Sequence, residues 1–197
     1  MNSRFLSRNA KRLLALHFLC LATVLPGRSQ GADFNIDQLM RSLPLANSGR
    51  ATFVEKKFIA MLKQPVVSTG ILIFRPPDHF EKLTVKPDPE SMRVSGNEMA
   101  LQRGGQRYTI QLQHYPELAG FIDSLRGTLA GNRAALDRSF SLDLEGNIHL
   151  WTLVLFPKDS TIIEEIRITG GDATVRSILV IQTDGDRSLM TIDRIAN

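Results

Sequence analysis

One cysteine, Cys20, occurs in 197 residues. No disulfide can close within a single chain, so the fold must rest on its own apolar core. Histidine is also scarce, with four copies. His79, His114 and His149 lie beyond residue 31, and none belongs to an HExxH pattern. Residues 32–197 also lack GxSxG, a phosphate-cradling P-loop and GxGxxG. Zinc-hydrolase, serine-hydrolase and dinucleotide chemistry are thus without their usual residues, and no cofactor or metal is expected. Paired carboxylates offer little more. Strand alternation sends Glu164 and Glu165 to opposite faces, and Asp184-Gly185-Asp186 reads as a hairpin turn.

Long apolar runs are missing apart from LLALHFLCLATVL, Leu13 to Leu25. A membrane span takes about 18 or more apolar residues, and this run is shorter. Arg4, Arg8, Lys11 and Arg12 precede it, Pro26 and Gly27 break it, and Ser29-Gln30-Gly31 offers small residues for cleavage. Residues 1–31 therefore read as a secretory signal peptide. Leu19 before Cys20 is too large for a lipobox. The expected organisation is a leader over 1–31 and one domain over 32–197, exported to the bacterial periplasm or secreted. Residues 1–31 carry five of the 24 Lys+Arg and none of the 20 Asp+Glu, so the remainder holds 19 against 20, a net of −1. That balance argues against nucleic acid as a partner.

The remaining residues are organised by two periods. Asn35 and Gln38 have capping-box spacing, with Phe34 and Leu39 placed as a hydrophobic staple. Ile36, Leu39, Met40 and Leu43 follow as a helical stripe, and Pro44 is expected to end that helix. Period two then takes over. Strands are expected at Ala51–Leu62, Pro65–Phe74, His79–Val85, Ser91–Ser95, Glu98–Arg103 and Arg107–Gln113. A second helix opens at Pro116 and carries Leu118, Phe121, Ile122, Leu125 and Leu129 on one stripe, with a further turn over Ala134–Asp137. Strands resume at Ser139–Leu144, Ile148–Phe156, Ile162–Thr169, Thr174–Thr183 and Arg187–Ile195. Short turns join them, so the sheet is antiparallel. Eleven strands must twist and curl, and two helices are too few to cover both faces. The fold class is mainly β (α+β): a curled, half-open antiparallel β-barrel whose helices lid a concave apolar face.

VVSTGILIFRPPDHFEKL, Val66 to Leu83, does not alternate cleanly. Ile71, Leu72, Ile73 and Phe74 stand together, and Trp151–Phe156 and Ile178–Ile181 behave alike. A run apolar on both faces needs cover on both. Leu39, Met40, Leu72, Phe74, Tyr108, Ile110, Leu112, Phe121, Ile122, Leu125, Phe140, Leu142, Trp151 and Leu153 are expected to converge on one concavity. Together they offer more apolar surface than two short helices fill, and an acyl chain would complete it, each buried methylene contributing roughly 0.8 kcal/mol. Lys56-Lys57 reads as a solvated edge or a contact to anionic lipid heads.

FVEKKF, Gly70-Ile71-Leu72-Ile73-Phe74-Arg75-Pro76-Pro77-Asp78-His79-Phe80, and the later Trp151-Thr152-Leu153-Val154-Leu155-Phe156-Pro157 occur in an order that resembles the LolA-type periplasmic lipoprotein carriers. The resemblance runs from about Phe34 to Ile195. It implies a half-open barrel with a helical lid (LolA/LolB-like). It also implies a cargo of lipoprotein acyl chains or another lipid, an inner-membrane donor complex, an outer-membrane acceptor, and no catalysis. Arg75 precedes a proline pair rather than the family's single proline. It is assigned to hold the lid through helix carbonyls or to meet a cargo headgroup. A monomer is expected. A lipid- or glycan-modifying enzyme and a non-transporting envelope interaction module stay open as other classes.

Overall fold

A computed structural model describes residues 34–46 and 48–195; the expected leader lies outside the described residues. Helix α1 spans Ile36–Ala46 and opens with the reciprocal cap: Asn35 N–H donates to Gln38 Oε1 at 3.1 Å and Gln38 N–H to Asn35 Oδ1 at 3.0 Å. Six strands follow: β1 (Gly49–Phe58), β2 (Val66–Arg75), β3 (His79–Lys86), β4 (Glu90–Ser95), β5 (Glu98–Arg103) and β6 (Gln106–Gln111). A 3₁₀ turn at Leu112–His114 leads into α2 (Pro116–Leu129) and α3 (Arg133–Ser139). Five more strands follow among the described residues: β7 (Phe140–Asn147), β8 (Leu150–Pro157), β9 (Ile163–Gly171), β10 (Thr174–Gln182) and β11 (Arg187–Arg194).

All eleven strands form one antiparallel sheet in the order β6-β5-β4-β3-β2-β1-β11-β10-β9-β8-β7. Two meanders are joined where β1 pairs with β11, with Phe53 opposite Ile192 and Glu55 opposite Met190. The edges β6 and β7 do not pair, so the barrel stays open, and the chain between those edges is the helical segment. Strand register puts Phe53, Leu72, Phe74, Phe80, Val94, Leu153, Ile168 and Ile178 on one concave face. That face packs with Leu39, Leu43, Ile122, Leu125 and Leu136 of the helices in a single core. The architecture is the curled half-barrel expected from the strand pattern.

Four local features differ from the sequence reading. Pro44 lies inside α1, which runs two residues further. A proline there leaves the Met40 carbonyl without its intrahelical donor. Gly131, at φ +63°, packs against that oxygen so closely that a Cβ would stand 2.0 Å away. Strand β1 ends at Phe58 rather than Leu62, because Ala60 N–H turns out of the ladder to Asp186 Oδ1 at 2.8 Å. Leu112 leaves β6 for the 3₁₀ turn, where Asn97 O accepts its N–H at 2.8 Å. The extra turn after α2 is a seven-residue helix, capped by Asn132, whose Oδ1 accepts from Ala135 N–H at 3.0 Å.

Gly70 shows why the β1–β2 register is tight. It lies opposite Phe53, and a Cβ there would stand 2.8 Å from the Phe53 ring and 1.9 Å from the Leu83 carbonyl oxygen. The Phe53 ring occupies the space a larger residue would need. Gly70→Ala is expected to destabilise the fold by about 3 kcal/mol, the upper end for overpacking, as read from urea unfolding midpoints.

Candidate functional site

The site is the concave face and its helical cover. One cleft opens beside the start of β1 and has a volume of about 60 Å³. Leu72, Phe74, Phe80, Leu125, Leu129 and Ile178 supply its apolar wall, and Ser48 to Ala51 and Arg194 its rim. A cleft of this size has room for only a few groups as large as a water molecule. It does not hold an acyl chain in this closed arrangement.

Leu72, Phe74 and Leu125 are the predicted residues that line this cleft. Leu39, Met40, Leu112, Ile122, Trp151 and Leu153 are buried in the surrounding core, and Ile110 and Leu142 pack at its margin. Phe121 and Phe140 line a second, more polar cleft of about 250 Å³ between the first turns of α2 and the β8–β9 loop. Tyr108 is a correction. It shares the concave register through Leu101 and Met92, but β6 is an edge strand whose far end the helices do not cover. It is 51% exposed, and its hydroxyl donates to Gln106. Phe80 and Ile178 were missed, although pairing β2 with β3 puts Phe80 directly opposite Phe74.

Arg75 is the second correction. Its register partner is His79, and alternation puts both on the convex face with Glu81, away from the helices. Arg75 Nη1 lies 3.8 Å from Glu81 Oε1, which also receives His79 Nε2 at 2.7 Å and Arg93 Nε at 3.2 Å. Burial raises the Glu81 pKa, but hydrogen bonds from His79 and Arg93 outweigh it and leave the carboxyl below its usual range. Here Arg75 serves a convex ion cluster on the sheet face away from the lid. Arg75→Leu is expected to leave acyl-probe affinity within about twofold, checked by fluorescence titration.

The lid is tied by other groups. Arg126 of α2 donates through Nη1 to the Gly96 carbonyl in the β4–β5 turn at 2.6 Å, steadied by Asp123. Glu117, in the first turn of α2, accepts from Ser160 Oγ at 2.5 Å and Thr161 N–H at 2.9 Å in the β8–β9 loop. Those hydrogen bonds hold the Glu117 carboxyl below the usual glutamate range. Lys158 Nζ donates to the Asp137 carbonyl at 2.7 Å, tying α3 to the end of β8. Arg133 links α3 to Asp37 of α1 at 2.8 Å. These contacts are few, polar and at the margins, whereas the interior of the lid is held by apolar packing alone.

Charge also lies within the concavity. Glu55, 6% exposed, faces inward from β1. Its carboxylate accepts from Lys82 Nζ at 2.5 Å, Ser188 Oγ at 2.7 Å and Ser68 Oγ at 3.3 Å, from strands β3, β11 and β2. Lys82 also stands over the Phe53 ring at 5.1 Å. Burial raises the Glu55 pKa, but the charge and hydrogen bond of Lys82 outweigh it, and the net shift is downward. A pair of this kind closes the apolar wall without leaving a bare charge.

Among the described residues no group of three or more His, Cys, Asp or Glu is placed to hold a metal ion. No described helix is long and apolar enough to cross a membrane.

The family of outer membrane lipoprotein carrier protein LolA-like domains matches residues 28–195. This chain belongs to the LolA-like family. Among solved structures it is similar to a LolA superfamily protein from Nitrosomonas europaea, at 8% identity and a TM-score of 0.46, covering 82% of this chain and 92% of that one. The lipoprotein LppX of Mycobacterium tuberculosis is similar at 7% identity and a TM-score of 0.41, over 82% of this chain and 97% of that one. A chain of the Pseudomonas aeruginosa MucA/MucB complex is similar at 12% identity and a TM-score of 0.36, over 82% of this chain and 58% of that one. No curated protein matches the sequence. Members of the LolA-like family are binding or carrier proteins of the cell envelope.

The Glu55–Lys82 pair sets a stability test. Removing one partner of a buried pair strands the other charge, at a cost of about 3 kcal/mol. Lys82→Met is expected to destabilise by about that much, and Glu55→Leu with Lys82→Met to recover most of it, read in urea. The lowered folded pKa values of Glu55, Glu81 and Glu117 fix the acid limb. Their contribution is complete above the ordinary glutamate value of 4.5 and is lost as pH falls through the lower folded values. Stability is therefore expected to decline below about pH 4.5, and Glu55→Gln to make that decline shallower.

Proposed function

We propose that this chain is a periplasmic carrier that shields the acyl chains of a lipoprotein or another lipid and passes them from the inner toward the outer membrane. On this reading residues 1–31 are its export leader and residues 32–197 its single carrier domain. The observation that carries the reading is an apolar region of the concave face of an unclosed barrel, covered by helices whose polar ties sit at their margins. Its working partners would be an inner-membrane donor complex and an outer-membrane acceptor. It would act as a monomer and without a cofactor.

The cleft of about 60 Å³ sets the mechanism. Uptake requires α2 and α3 to move off the sheet, exposing Leu72, Phe74 and Phe80 to the cargo. About ten methylenes at roughly 0.8 kcal/mol each would replace the helix contacts given up. Arg126 and Glu117 are placed as latches, since each ties one end of α2 to a different turn of the sheet. Non-directional contacts suit a carrier, which must release what it binds.

The same small cleft favours a second reading, a non-transporting envelope module whose interior packs solid. Native mass spectrometry of the chain purified from a bacterial host separates the two. Retained acyl lipid is expected, and a protein that stays empty and binds no acyl probe leaves only the module. Opening both latches with Arg126→Ala and Glu117→Gln is expected to speed release of a fluorescent acyl probe about tenfold, followed by stopped flow. In the unaltered protein, acid is expected to speed release only as pH falls below the ordinary glutamate range. There the lowered Glu117 pKa is crossed and the charge that strengthens its hydrogen bonds to Ser160 and Thr161 is lost.

A further inference from the structure

The β1–β2 loop, residues 59–65, exposes apolar side chains on an ordered turn. Met61 is 92% exposed and Leu62 50%. The turn is closed by Leu62 N–H donating to the Ile59 carbonyl at 2.8 Å, and fixed from the side by Ala60 N–H donating to Asp186 Oδ1 at 2.8 Å. Val66 and Val67, where β2 begins, are 42% and 45% exposed. Folding has not buried these side chains, and the backbone hydrogen bonds hold them outward.

Lysines surround the apolar tip. Lys56, Lys57 and Lys63 are exposed, and none is in an ion pair among the described residues. Residues 56–64 contain no Asp or Glu. The neighbouring β10–β11 turn brings Asp184, Asp186 and Arg187, the last stacked on Phe58 at 4.7 Å. Glu55 below is already held by Lys82. Around the tip, four cations face two carboxylates.

We propose that this loop seats on an anionic lipid bilayer, with Met61 and Leu62 entering the headgroup boundary and Lys56, Lys57 and Lys63 meeting lipid phosphates. The chemistry favours a bilayer over a protein groove. Lysine is depleted from the cores of protein interfaces, whereas an apolar tip collared by long cationic side chains matches the gradient from hydrocarbon to phosphate. The position also suits delivery. The loop lies at the Phe58 end of β1, about 30 Å by strand rise from the cleft at the Gly49 end. Toward the loop, the concave residues Val180 and Met190, in register with Lys57 and Glu55 through β11, are only half-buried.

The test needs no cargo, so it succeeds or fails independently of the carrier reading. The full chain is sedimented with vesicles of phosphatidylcholine alone or with phosphatidylglycerol added. Binding is expected only when phosphatidylglycerol is present. Met61→Ser with Leu62→Ser is expected to weaken it at least about tenfold, and each of Lys57→Gln and Lys63→Gln about fivefold. These side chains are exposed, so melting temperature and far-ultraviolet circular dichroism should not change. Trp151 is the one native tryptophan and is buried. Emission from Met61→Trp is therefore expected to shift blue on vesicles containing phosphatidylglycerol. Absence of vesicle binding, equal binding to both compositions, or full binding by the Met61/Leu62 variant each overturns the proposal. So does an unshifted Met61→Trp spectrum, and the last result would return the loop to a protein partner.

Discussion

The pairing of β1 with β11 governs the molecule. It zips two meanders together through residues about 140 positions apart in the chain, such as Thr52 and Asp193. Ordering that separation carries a loop-closure cost that only a large cooperative sheet offsets. Once it forms, both free edges, β6 and β7, flank the helical segment that connects them. The sheet therefore curls toward its own insertion, and its exposed apolar face is covered by residues already tethered to both rims.

That arrangement explains how apolar and charged groups are divided. The concave wall is apolar where α1, α2 and α3 lie and polar where four strands bring Glu55, Lys82, Ser68 and Ser188 together. The convex face has its own cluster, with three basic side chains on Glu81. Neither cluster forms within a single hairpin by chance. Each depends on register, because a one-residue slip would send Glu55 or Glu81 to the other face. The ion pairs thus make wrong registers costly as well as stabilising the right one.

The lid differs from the sheet in kind. Backbone hydrogen bonds fix every strand, but the helices meet the barrel through side-chain packing and a few marginal hydrogen bonds. A two-state cover is built that way, with a rigid element on one side and a replaceable apolar contact on the other. Arg126 donates from helix to sheet, the reverse of the direction expected for Arg75. The physical need for an arginine between lid and rim is met by a different element.

Much of this was legible in the residues themselves. The reciprocal Asn35–Gln38 cap, the alternating strands and the amphipathic stripe of α2 are local properties, and period and turn chemistry determine them. Local pattern could not say which strand ends the helices cover, which is why Tyr108 was placed in the covered cavity and lies on the uncovered part of the same face. Nor could it show that Asp186 would pull Ala60 out of β1, or that Gly131 would shelter the carbonyl Pro44 leaves free. The sequence alone determined the order of the strands and helices and the alternation of faces along each strand. Tertiary structure alone decided how far the concavity closes and which groups latch it, because those depend on contacts between segments that no spacing along the chain encodes.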